Sequence, residues 1–167
     1  MSSITQHAGD TETARVIVRP PILFLGCLLL GFIIDHAMRL PFPIARIGLA
    51  HWTSAAIAGA IIVAGAAVFA AGIRNFSSAG TPVPGTQPTR ALATTGIHGW
   101  SRNPIYLGMF LIYAGIGLMV RNSWILILML PLAVTMRYGV VAREEAYLER
   151  RFGDAYRAYK AGVRRWL

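Results

Sequence analysis

The sequence predicts an all-α integral membrane protein with four transmembrane helices and a cytoplasmic C-terminal amphipathic helix. Three observations carry that prediction. The chain is 55% hydrophobic and only 14% charged, with a mean hydropathy of +0.53, whereas an ordinary soluble domain carries about 25% charged residues. Four apolar stretches come close to the roughly 20 residues that cross a hydrocarbon core as helix. Basic residues gather on one side of those stretches. The ten-residue alternation of a membrane β-barrel is absent.

Residues 1–19 precede the first span. They are polar and lack a charged start running into a short apolar core, so they read as a disordered tail, not a signal peptide. Residues 20–167 then form one domain. The first span runs from about Pro20 to Met38 and contains the single cysteine, Cys27, which has no partner for a disulfide and no CxxC metal spacing. Asp35 and His36 close this span beside Arg39 and Pro41, where an interfacial ion pair is expected. The second span, from about Trp52 to Ile73, is crowded with Gly59, Ala60, Ala64, Gly65 and Gly72, which would let a neighbouring helix approach closely.

A loop rich in Gly, Pro, Ser and Thr follows, from Arg74 to Asn103. Its Gly80 to Gly85 segment, with Arg90, is expected to close over a ligand. The third span, from about Pro104 to Val120, carries Gly115 and Gly117, which read as packing positions. A turn at Arg121, Asn122 and Ser123 leads straight into the fourth, from about Ser123 to Ala142. The tail REEAYLERRFGDAYRAYKAGVRRWL places Tyr147, Leu148, Phe152, Ala155, Tyr156 and Tyr159 near helical spacing, opposite a basic face, as in a helix lying on an anionic surface. Gly153 should break or bend it. Trp52, Trp100, Trp124 and Trp166 fall near span ends, as interfacial anchors do.

With four crossings, both termini and the Arg74–Asn103 loop share one side. That side holds Arg15, Arg19, Arg74, Arg90, Arg102 and the eight Lys and Arg from Arg137 onward, against Arg39, Arg46 and Arg121 on the other. The bias puts both termini in the cytoplasm, at what is expected to be a bacterial inner membrane. It also assigns the net charge of +9 to anionic lipid headgroups in preference to nucleic acid.

The stretch WSRNPIYLG is more specific than a loop entering a helix requires. Arg102, Asn103, Pro104 and Tyr106 stand together at the start of the third span. Glu144 and Glu145, two of only seven acidic residues, stand where the fourth leaves the bilayer. Ionisable groups at such depth tend to be functional, although surface pairing with Arg137, Arg143 or Arg151 would equally explain them.

The chain resembles the integral-membrane methyltransferases that include isoprenylcysteine carboxyl methyltransferase and the phospholipid N-methyltransferases. Arg102, Asn103, Pro104, Tyr106 and Gly108 match their R-[HN]-P-x-Y-x-G, Glu144 and Glu145 match their paired glutamates, and Leu148, Phe152, Gly153, Tyr156 and Tyr159 match their tail. The resemblance spans roughly residues 74 to 167, which it marks as the cofactor-binding half. It implies S-adenosylmethionine as methyl donor and a lipid or prenyl-type acceptor. Donor-binding roles then fall to Arg102, Asn103, Pro104, Tyr106, Leu107, Gly108, Glu144 and Glu145, with Arg102, Asn103 and Glu145 nearest the chemistry. Asn103 stands where many relatives have His, so it is expected to hydrogen-bond and not to act as a base. No metal is required. His98 reads as a solvated loop residue. A nicotinamide-dependent membrane reductase related to the sterol reductases, a small four-helix transporter and a purely structural membrane module are the competing readings.

Overall fold

The computed structural model describes residues 16–42, 51–82 and 88–167. Within them lie six α-helices: α1 Pro20–Ala37, α2 His51–Ser78, α3 Pro104–Met119, α4 Ser123–Thr135, α5 Ala142–Phe152 and α6 Asp154–Gly162. A 3-10 turn, Gly96–Gly99, precedes α3. A π-helical stretch, Met136–Val141, joins α4 to α5, so Ser123–Phe152 is one helical run of 30 residues. Three runs among the described residues are long and apolar enough to cross a membrane: Pro20–Ala37, His51–Ser78 and Ser123–Phe152. Helix α3 has 16 residues, about 24 Å at 1.5 Å per residue.

The prolines explain where α1 and α3 begin. Pro20 and Pro104 occupy first-turn positions, where a missing N–H costs nothing and the fixed φ suits a helix. The turn between α3 and α4 is as tight as expected, with Arg121 at φ 54°. Asn122 caps α4 by accepting from the Ile125 N–H at 3.0 Å, and its amide donates to the Gly31 carbonyl at 3.3 Å. One side chain thus starts α4 and ties the hairpin to α1.

Helix termini differ from the limits of the apolar runs. Helix α2 continues through Arg74, Asn75 and Ser77 to Ser78, and the fourth run continues to Phe152. Hydropathy marks where lipid contact ends, while the backbone ladder carries on into polar sequence. Of the tail read as residues 1–19, residues 1–15 lie outside the described residues. Residues 16–19 are not loose: Val16 packs on the core and the Ile17 N–H donates to the Gly139 carbonyl at 3.3 Å.

Small residues set the contact between α2 and α3. A Cβ on Gly65 would meet the Gly108 carbonyl at 2.9 Å, and one on Gly108 would meet the Gly65 carbonyl at 2.7 Å. Gly115 faces Ile62 and the Ala58 carbonyl, and Gly72 faces Ile105. The two helices therefore run antiparallel with their backbones touching. Gly117 packs on Leu126 and Ile125, as read from the sequence, whereas Ala60 and Ala64 face outward. Gly31 against Ile125 and Ile17 against Gly139 make α1 antiparallel to α4. The starts of α1 and α3, the end of α2 and the whole of α5 consequently share one end of the bundle.

At the opposite end, the Trp124 indole donates to the Met38 carbonyl at 2.6 Å and Ser123 Oγ to that of Pro41 at 3.1 Å. The Asp35–Arg39 pair is not among the ion pairs of the described residues. Trp52 and Trp100 are exposed near helix ends, as anchors would be, but Trp166 packs edge-on against Phe110 at 6.0 Å. The C-terminal residues fold back onto the bundle.

Candidate functional site

Helix α4 carries Pro131, which cannot donate to the ladder, and the π-helical stretch begins at Met136, at the end of α4. A π-turn adds a residue to the helical circuit and so re-aims everything after it. Downstream stand Glu144 and Glu145, each 6% exposed. Both line a narrow cavity of about 620 Å³, counted to its open mouth, whose lining residues run from Phe76 to Tyr159.

The cavity brings together most of the expected residues. Arg102, Asn103, Pro104, Tyr106, Glu144 and Glu145 all line it. Tyr106 Oη donates to Glu144 Oε1 at 2.7 Å. Arg102 Nη2 donates to Glu145 Oε1 at 2.9 Å, and Arg102 Nη1 to the Lys160 carbonyl at 2.8 Å. Leu107 and Gly108 are not part of the lining. At 100° per residue, Gly108 lies about 200° around α3 from Tyr106, which is why it meets α2 and not the cavity.

Glu145 has a different first duty from the one its position suggested. Arg165 grips it with two bonds, Nε to Oε1 at 3.0 Å and Nη2 to Oε2 at 2.6 Å, while Arg102 holds the near side. One carboxylate between two guanidinium groups is the anchor of a buried ion cluster. Asn103 belongs to the same fastening, since its amide donates to the Arg165 carbonyl at 2.9 Å. The Arg102 N–H donates to the Arg164 carbonyl at 3.0 Å, so the chain's last residues strap the start of α3. Sequence reasoning missed Arg165, which looks like any other base in the tail.

The tail helices also differ from a surface-bound pair. Tyr147 and Tyr156 are each 1% exposed, and Leu148, Tyr156 and Tyr159 form cavity wall. Their apolar stripe faces the protein interior. Gly153, at φ 53°, breaks the helix between α5 and α6 as expected. Of the segment expected to close over a ligand, residues 83–87 lie outside the described residues. Thr81 Oγ1 accepts from the Arg90 N–H at 2.8 Å, and Thr89, Ala91, Leu92 and Ala93 line the cavity.

His98 is not solvated. It is 2% exposed and lines the cavity. Its ring stands edge-on to Phe76 at 4.6 Å, and its carbonyl accepts from Tyr159 Oη at 2.7 Å. Its Nδ1 lies 2.8 Å from the Asn75 amide, and Gly96, at φ 57°, gives Asn75 the room. Burial lowers its pKa from 6.5 to about 4. An unfolded chain therefore takes up this proton before the folded one does. The stability that neutral His98 contributes should accordingly be lost as pH drops from about 6.5 toward 4. Thermal unfolding in detergent across that window should therefore lose more stability with acid in the wild type than in His98→Phe, the other groups titrating alike in both; parallel profiles would contradict it.

Three side-chain atoms on cavity-lining residues are buried without a hydrogen-bond partner: Thr89 Oγ1, His98 Nε2 and Arg102 Nε. The fourth such atom among the described residues, Tyr113 Oη, lies elsewhere. Buried polar groups are otherwise nearly always satisfied, so three orphans on residues of one cavity single it out as the candidate site.

A bundle of long apolar helices with a buried carboxylate–guanidinium cluster at one end defines an integral membrane protein with a polar cavity at that end. The sequence profile of the phospholipid methyltransferase family matches residues 53–155, from the start of α2 into α6. The chain belongs to that family, and is a membrane methyltransferase. A Haemophilus influenzae protein described only as uncharacterized is 43% identical over 65 residues, which cover 38% of this chain and all of that protein.

Proposed function

We propose that the chain transfers a methyl group from S-adenosylmethionine to a lipid or lipid-like acceptor at the cytoplasmic face of a bacterial inner membrane. The observation that carries this reading is the set of three orphaned polar atoms beside the paired glutamates. The donor has a carboxylate, an ammonium, a ribose diol and a flat base. Arg102 Nε suits the carboxylate, Glu144 suits the ribose hydroxyls or the ammonium, and the walls formed by Phe76, Leu92 and Leu148 suit the base.

S-adenosylmethionine supplies a methyl group already activated by a sulfonium, so the chain needs neither a metal nor a covalent intermediate. The protein's part is alignment and exclusion of water. Tyr106 fixes the Glu144 carboxyl by its 2.7 Å bond, and the Arg102–Glu145–Arg165 cluster holds the start of α3 against α5. Asn103, committed to the Arg165 carbonyl, positions that strap and transfers no proton. In this reading α3 completes a four-span bundle with both termini cytoplasmic. The donor enters from the cytoplasm and the acceptor sideways between helices. The basic excess at the cavity's end of the bundle supports that orientation.

The test is transfer itself. Purified protein given methyl-labelled donor and a total lipid extract should label a lipid, and heat-inactivated protein should not. Label that never leaves the donor would overturn the proposal.

A further inference from the structure

The hydrogen bonds around His98 determine which of its nitrogens carries the proton. The Asn75 amide nitrogen lies 2.8 Å from the Thr95 carbonyl and 2.8 Å from His98 Nδ1. The carbonyl can only accept, so the NH2 end of the amide must face it. The second N–H of the same group is then directed at Nδ1, which therefore accepts. A neutral imidazole has one donor and one acceptor nitrogen, so the proton sits on Nε2. That N–H is the orphan in the cavity wall.

We propose that His98 is a specificity-determining residue whose Nε2–H donates to an uncharged ring nitrogen of the donor's adenine base. The assignment rests on the reading of this cavity as the S-adenosylmethionine site. It excludes a general-base role for His98, because the nitrogen available to the ligand already bears its proton. It also distinguishes the base from the donor's carboxylate. A neutral imidazole cannot compensate a buried negative charge, and the cavity offers the charged Arg102 Nε for that end. The edge-on Phe76 ring gives the His98 side of the lining an apolar surface on which a flat heterocycle can lie.

Two measurements test this. The first is the nitrogen-15 spectrum of the histidine rings in the ligand-free wild type, with His98 assigned by its loss in His98→Phe. It should report a protonated Nε2 and an unprotonated Nδ1; the reverse pattern overturns the assignment. The second is calorimetric titration with S-adenosylhomocysteine and its 1-deaza, 3-deaza and 7-deaza analogues, each replacing one ring nitrogen by C–H. In the wild type one analogue should bind roughly three- to tenfold more weakly than the parent, the scale of one neutral hydrogen bond. His98→Phe should bind the parent more weakly by a similar factor and no longer distinguish that analogue from it. Wild-type binding of the parent with no such coupling to any ring nitrogen overturns this assignment alone. A wild type that binds none of the four ligands overturns the donor reading and this assignment with it.

Discussion

Replacing Glu145 with Gln is expected to cost about 3 kcal/mol of stability, the lower end of the range for breaking a buried ion pair from one side. The carboxylate and the Arg102 side chain are each 8% exposed, so removing the charge strands a guanidinium away from water. Arg165, at 27%, keeps some contact with solvent, which holds the cost down. The loss should also release the strap over Arg102 and Asn103. Unfolding in detergent compares this variant with Glu149→Gln, whose carboxylate is 35% exposed and pairs with Lys160. That second change should cost under about 1 kcal/mol, as exposed pairs do. Equal losses would mean that the Glu145 cluster is no more than surface pairing.

Gly108→Ala should be as damaging for a steric reason. Its new Cβ would stand 2.7 Å from both the Gly65 carbonyl oxygen and the Phe69 nitrogen, and backbone atoms cannot step aside. Helices α2 and α3 must separate, with a cost of about 1–3 kcal/mol or more for overpacking. Pro104 and Tyr106 ride on α3, so the cavity should be disturbed as well. Gly26→Ala in α1 is the control, because nothing lies within 4 Å of its new methyl. Alanine's better helix propensity should leave that variant as stable as the wild type or about 0.5–1 kcal/mol more so. Denaturation midpoints that do not separate the two would contradict the α2–α3 contact.

The same pair of glycines shows where sequence reading succeeds and where it stops. Gly65 was legible as a packing position because small residues crowd its helix. Gly108 was read as a ligand contact because it belongs to the motif, but a helix turns 100° per residue and carries it to the opposite face from Tyr106. Helix starts were legible through Pro20 and Pro104. The ends of α1 and α3 were legible to within a residue, but those of α2 and of the fourth run were not, since both continue into polar sequence. The meeting of Arg102 and Tyr106 with Glu144 and Glu145 was anticipated by family resemblance, not by any local pattern. Arg165 and His98 gave no such signal. One is a base among seven in the tail, and the other becomes buried only when Phe76, Asn75 and Tyr159 close around it. The π-helical stretch has no local signature at all beyond the proline that precedes it.

The most direct test of the donor site is calorimetric titration of the purified protein with S-adenosylhomocysteine and, separately, with a nicotinamide dinucleotide. The wild type should bind the first and give no binding heat with the second. Glu144→Gln should bind S-adenosylhomocysteine roughly tenfold or more weakly, as loss of a charge-assisted hydrogen bond requires, while Glu149→Gln binds like the wild type. Binding of the dinucleotide in place of S-adenosylhomocysteine, or undiminished binding by Glu144→Gln, would contradict the account.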